Sequence, residues 1–254
     1  LGVTGRGWLE RGGVYVVANL RGGGEYGPAW HQAALKGRRQ RAFDDFAAVA
    51  EDLVAAGITT PRRLGIQGGS NGGLLVAAVA LQRPELFGAV VCQVPLLDMR
   101  RYHRLLAGAS WGGGKGGPPP PTERGGETPD TTNPQKGGGF SHRGRAGAGG
   151  VAYSVHPDDA DDWAALARYS PYHVVRAGVR LPPMLITTST RDDRVHPGHA
   201  RKMAARMLAQ GHDVLYWENV EGGHAGAADN AQRAHMRALE LTFLWQRLGT
   251  GAAR

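Results

Sequence analysis

Apolar residues are distributed along the chain in two ways. Some form short continuous runs; others return every three or four positions over longer stretches. The runs Val14-Tyr-Val-Val-Ala18, Leu64 to Gln67, Ala89 to Val94, Met184 to Thr187 and Val214 to Trp217 are strand-length and read as strands, the later ones suited to burial within a parallel sheet. Helical spacing holds over Ala42 to Ala56, Asn71 to Gln82, Gly198 to Gln210 and Ala227 to Leu248. Strands alternating with helices predict an α/β fold, a mostly parallel sheet with helices on both faces. Met203, Met207, Leu244 and Trp245 fall on the apolar faces and are expected in the core.

The pattern fails between Gly112 and Gly150, where glycine and proline make up about half the positions, as in Gly116-Gly-Pro-Pro-Pro-Pro121. Such a composition buries too little apolar surface to offset the entropy of ordering, which predicts a disordered Gly/Pro-rich insert over 112–150. The other residues of the 254 are a suitable length for one α/β domain. Net charge is +8, but apart from Lys36-Gly-Arg-Arg-Gln-Arg41 the basic residues are scattered. No nucleic-acid partner is expected from them. Cys92, the single cysteine, lies in an apolar strand and reads as a buried thiol, so no disulfide framework exists. No stretch is long and apolar enough to span a membrane, and no membrane partner is expected. Neither a metal cluster nor a phosphate loop nor a dinucleotide fingerprint is legible: Gly22-Gly-Gly24 follows a strand but lacks the G-x-G-x-x-G pattern that opens a helix. No cofactor and no metal are expected.

Chemistry concentrates at Leu64-Gly-Ile-Gln-Gly-Gly-Ser-Asn-Gly-Gly-Leu74. Gly68, Ser70 and Gly72 satisfy G-x-S-x-G between an apolar strand and an apolar helix, the context of a nucleophile elbow. Small residues are expected at both flanks because side chains there would collide in the sharp turn. The serine then stands at a helix N-terminus, where N–H groups and the dipole favour developing negative charge. A carboxylate follows the strand ending at Thr188, as Asp192 or Asp193, and His224 follows the next strand in the loop Val220-Glu-Gly-Gly-His-Ala-Gly226. The order serine, acid, histidine is that of α/β-hydrolases, in which the histidine takes the serine proton and the carboxylate fixes its tautomer.

With those residues in place the chain resembles the catalytic domain of the prolyl oligopeptidase family of serine peptidases. The resemblance rests on Asn19-Leu-Arg-Gly-Gly-Gly-Glu-Tyr-Gly27, Phe43-Asp-Asp-Phe46, Gln67 to Leu74, Gln82-Arg-Pro-Glu-Leu-Phe-Gly88, Tyr169-Ser-Pro-Tyr172, Asp192-Asp-Arg-Val195 and Gly223-His224. It covers roughly positions 13 to 111 and 155 to 248. It implies an α/β-hydrolase fold, a triad of Ser70, Asp192 and His224, and short peptides as substrates. It further implies that the Asn71 N–H faces the oxyanion and its side chain the substrate, that Arg194 binds the peptide carbonyl before the cleaved residue, and that Val195 lines the S1 pocket. Trp111, 41 residues after Ser70, is implied to stack on a substrate proline.

The chain departs from the family in two ways. It opens at Leu1, after the position of the family's Tyr-Gly-Gly-Phe-like segment, whose tyrosine is the second oxyanion donor, and it lacks the family's β-propeller. It is therefore expected to be the C-terminal part of a longer protein, a partial catalytic domain over 1–254. Losing one oxyanion donor costs about 10²–10³ in rate. The insert begins directly after Trp111, and a pocket residue of the family has no counterpart there, which weakens the implied proline specificity. The expected activity is that of a serine-type peptidase acting through an acyl-enzyme. The alternatives are an esterase or acylaminoacyl-peptidase-like hydrolase, or a non-catalytic fragment. A cytoplasmic location is expected, with a periplasmic one open because residues before Leu1 would carry any signal peptide.

Overall fold

β-branched and small apolar residues make the strands, and period-two alternation divides their side chains between two helical layers. The computed structural model of the chain describes residues 3–105 and 155–249. Among these residues four strands, β1 (Gly65–Gly69), β2 (Ala89–Gln93), β3 (Met184–Ser189) and β4 (Val214–Asn219), pair in parallel in the order β1-β2-β3-β4. Gly65 is opposite Ala89, Val90 opposite Met184 and Met184 opposite Val214. Among the described residues, eight α-helices surround them: α1 (Val3–Leu9), α2 (Gly27–Gln32), α3 (Gln40–Ala55), α4 (Asn71–Gln82), α5 (Ala160–Ala167), α6 (Pro171–Val174), α7 (Gly198–Ala209) and α8 (Asn230–Leu248).

On one face Val90, Cys92, Met184 and Ile186 join Ile66 and Val214 in the main apolar cluster with residues of α3, α4 and α7. The alternate residues Ala89, Val91 and Leu185 meet Phe243, Leu244 and Leu248 of α8 on the other. Alternation along a strand puts successive side chains on opposite faces, so a sheet covered on both sides needs apolar residues at nearly every position. α4 is apolar almost all round and buried from Gly73 to Ala80 except at Leu75, which is half-buried. Met203, Met207 and Leu244 are buried, as is the Cys92 thiol, which burial pushes well above its ordinary pKa.

Two expectations need correction. Val14 to Ala18 belongs to no strand, and Val14 and Val17 are 61% and 74% exposed. Strand propensity describes a fit to a pleated, half-buried surface; among the described residues no neighbouring strand completes a ladder with this segment. Trp245 is 41% exposed and meets Trp8 edge-on at 5.8 Å instead of entering the core. It lies on the same helix as the buried Leu244, but one residue advances a helix by about 100°, which turns it out of the apolar stripe. Residues 112–150 and Trp111 lie outside the described residues.

Candidate active site

Because the strands are parallel, every segment that leaves a strand's C-terminal end emerges on one rim. Ser70 follows β1, Asp192 follows β3 and His224 follows β4. Ser70 continues the ladder by donating its N–H to the Gln93 carbonyl at 2.8 Å, and then turns to φ 57°, ψ −115° as the N-cap of α4. A non-glycine residue at positive φ stores on the order of 1–3 kcal/mol of strain, held in place by the packing around it. A Cβ on Gly68 would lie 2.3 Å from the Gly72 carbonyl oxygen, whereas a Cβ on Gly72 would meet nothing within 4 Å. The steric demand of the elbow therefore falls on its first flank only, which corrects the expectation for Gly72. Gly73 is the second constrained glycine, since a Cβ there would sit 2.7 Å from Pro95.

The acid sits in a tight turn. Asp192 accepts the backbone N–H groups of Arg194 and Val195 at 2.9 Å each on one carboxylate oxygen, and its side chain is fully buried. Asp193 is exposed. Both oxygens of Asp192 lie 2.9 Å from His224 Nδ1, and His224 Nε2 lies 3.1 Å from Ser70 Oγ. The carboxylate can accept only from a protonated Nδ1, which leaves the lone pair on Nε2, facing the serine hydroxyl. A base placed in this way can take the hydroxyl proton as the oxygen attacks an acyl carbon.

The histidine loop is fixed from below. The Gly226 carbonyl accepts from Asn219 Nδ2 at 2.8 Å and from Ser189 Oγ at 3.2 Å, and the Gly226 N–H donates to the Gly223 carbonyl at 2.8 Å. Gly226 has φ +83°, and a Cβ there would strike Met236 at 2.3 Å, so the turn that presents His224 requires glycine.

Asn71 is the first residue of α4, directly after Ser70 at the helix N-terminus. Its side-chain oxygen accepts from buried Arg39 at 3.0 Å. The sequence marked Arg39 only as part of a basic cluster, and nothing in its local pattern distinguishes it from the exposed Arg38 and Arg41. Arg21 forks onto Asp45 of α3, with Nε at 3.0 and 2.9 Å and its backbone N–H at 3.0 Å. That pairing joins the glycine-rich segment to α3, and the Arg21 hydrogen bonds hold the Asp45 carboxyl below the usual carboxylate range. Arg194 is exposed, while Val195 is buried in the main apolar cluster.

Residues 6–118 and 150–251 match the model of the Prolyl oligopeptidase family. The chain is 46% identical over 246 residues to an uncharacterized peptidase of Sinorhizobium fredii, covering 97% of this chain and 28% of that protein. It is 32% identical over 245 residues to a prolyl endopeptidase of Elizabethkingia miricola, covering 95% and 29%. The solved structure of a post-proline cleaving enzyme from Rickettsia typhi superposes with a TM-score of 0.79 at 35% identity, over 98% of this chain and 30% of that one. The chain thus spans less than a third of the length of these relatives. With its sheet, its elbow and the order of its rim residues on the fold of those proteins, this chain belongs to the prolyl oligopeptidase family.

Proposed function

We propose that the chain carries the catalytic centre of a serine peptidase that hydrolyses short peptides on the carboxyl side of proline. The observation that carries this reading is the continuous hydrogen-bonded series from Ser70 Oγ through His224 to buried Asp192, at 3.1 and 2.9 Å. Ser70 Oγ attacks the scissile carbonyl while His224 Nε2 accepts its proton. The tetrahedral oxyanion takes the Asn71 N–H, and collapse returns the proton to the leaving amine, giving an acyl-enzyme. Water, activated by the same nitrogen, releases the acid. Asp192 remains a carboxylate throughout and stabilises the imidazolium. Arg194, exposed on the rim, binds the carbonyl of the preceding residue. Trp111 stacks on the proline ring, and Val195 lines the S1 pocket. Proline at the cleaved position is supported by relatives named for prolyl and post-proline cleavage. The propeller and short-peptide selectivity of the family belong to the same proposal.

A fluorophosphonate probe is expected to label the wild-type chain and to leave Ser70→Ala unlabelled; equal labelling of both would overturn the assignment. Turnover of proline peptide amides, compared with p-nitrophenyl esters, separates a peptidase from an esterase: release from the ester alone refutes peptide cleavage.

A further inference from the structure

Far apart in sequence, His103, His156 and Asp158 converge where the chain enters and leaves the segment between residues 105 and 155. His103 lies in the single helical turn Tyr102–Arg104, and His156 and Asp158 lie just before α5. Tyr102 Oη donates to the Val155 carbonyl at 2.8 Å, and Arg100 donates to the Pro157 carbonyl, so backbone contacts already hold the two ends together.

The hydrogen bonding at the centre of this cluster is in conflict. His103 Nε2 is 3.2 Å from an Asp158 carboxylate oxygen and 3.1 Å from Arg104 Nε, which approaches it as a donor. An arginine nitrogen only donates, so that contact needs a lone pair on Nε2, while the carboxylate contact needs a hydrogen there. One ring nitrogen cannot provide both. With the lone pair on Nε2, two acceptors face each other at 3.2 Å, an arrangement that a cation between them resolves. Arg104 supplies that charge in this structure, with Nη2 2.8 Å from the same carboxylate oxygen, but its side chain is 66% exposed and free to swing out. The far nitrogen of His103, Nδ1, is buried with no hydrogen-bond partner, and the side chain is only 9% exposed. The His156 ring is 4.8 Å from the His103 ring, and its Nδ1 accepts the Asp158 N–H at a long 3.3 Å, so a second imidazole lone pair is present.

We propose that His103, His156 and Asp158 bind a divalent zinc-type ion that clamps the two ends of the 106–154 segment. One donor atom from each residue lies within 4.8 Å of the other two. Zinc bonds of about 2.0–2.2 Å in a tetrahedron place donors roughly 3.4 Å apart, so donors up to 4.8 Å apart must close by up to about 1.4 Å. The turn residues 156–158 can supply that movement once Arg104 leaves. Two imidazoles and one carboxylate are the donors of borderline ions such as zinc, not the all-oxygen cage of calcium or magnesium. Water completes the shell. The clamp joins positions 55 residues apart, so the ion stabilises the fold by binding it and not the open chain.

Zinc titrated alone into the full chain, followed by calorimetry and thermal unfolding, tests the proposal. The wild type is expected to bind one ion, His156→Ala to bind it at least about tenfold more weakly, and zinc to raise the thermal stability of the wild type more than that of the variant. Arg104→Ala, which removes the competing cation without touching a ligand, is expected to bind about tenfold more tightly. No zinc uptake at concentrations on the order of 100 µM overturns the site. So does equal affinity in the wild type and His156→Ala, or an Arg104→Ala variant that binds no more tightly than the wild type.

Discussion

Gly68 and Gly72 bracket Ser70 symmetrically in sequence and asymmetrically in space: a Cβ on Gly68 would overlap the Gly72 carbonyl oxygen at 2.3 Å, and a Cβ on Gly72 would point into open space. The strand and helix meet at so sharp an angle that the backbone of the second glycine occupies the volume a side chain on the first would need.

Gly68→Ala is therefore expected to destabilise the chain by about 1–3 kcal/mol, because backbone and not a flexible side chain must yield. It should also displace Ser70, so that fluorophosphonate labelling falls. Gly72→Ala, in the first turn of α4, is expected to leave the unfolding temperature unchanged or raise it, since alanine is favoured over glycine in a helix by up to about 1 kcal/mol. Equal loss in the two variants, measured by thermal unfolding, would contradict this asymmetry.

Asp192 and Asp193 are neighbours with opposite environments. Asp192→Asn is expected to lower kcat on a proline peptide by about 10⁴, because an amide presents a donor to His224 Nδ1 and favours the wrong tautomer. Asp193→Asn, on an exposed side chain, should stay within a few-fold of the wild type. Comparable losses in both variants would remove Asp192 from the role proposed for it.

His199 on α7 gives the stability of the chain a pH dependence. Its Nδ1 accepts the Asp98 N–H at 3.0 Å and, at 3.4 Å, the Leu97 N–H, so the ring is neutral with its hydrogen on buried Nε2. Burial pushes its pKa down to about 4; Asp98 and Asp192 oppose that shift, and Lys202 and His196 add to it. Between the unfolded value near ~6.5 and about 4 the unfolded chain binds the additional proton, so stability falls as the pH drops through that interval. Burial likewise lowers the pKa of His173 and His103, which strengthens the trend. Denaturant unfolding at a series of pH values should show the slope reduced by about one proton in His199→Gln. An unchanged slope would exclude His199 as a source.

Glu240 is a buried acid of α8 beneath the sheet. It accepts from Gln67 Nε2 at 3.0 Å, from Gln93 Nε2 and from Arg237 at 2.8 Å, with its side chain fully buried. Glu240→Leu is expected to cost about 2–4 kcal/mol, because it leaves two amides and a guanidinium without their acceptor. Glu240→Gln, which keeps one acceptor oxygen, should cost less. Equal stability of Glu240→Leu and the wild type in urea unfolding would show that the cluster contributes nothing.

The strands β1 to β4 and the helices α3, α4, α7 and α8 were legible, because burial within the sheet leaves short apolar runs and packing of a helix against it leaves apolar residues at helical spacing. The Ser70 elbow was legible for a similar reason: a strand, a sharp turn and a helix start are encoded by adjacent residues. Whether Asp192 or Asp193 faces the histidine was not a local matter. It follows from a turn in which Asp192 accepts two backbone N–H groups and sends its neighbour outward. Arg39, Glu240 and the His103–His156–Asp158 cluster have no sequence signature, because each depends on a partner distant in sequence, 32 residues from Arg39 to Asn71, 173 from Glu240 to Gln67 and 55 from His103 to Asp158, and these meet only when the chain packs. Val14 to Ala18 shows the converse, a run with every local mark of a strand that pairs with no strand among the described residues. A side-chain pattern can specify which residues favour a pleated surface, but a strand exists only through hydrogen bonds to a neighbour, and only the tertiary structure supplies that neighbour.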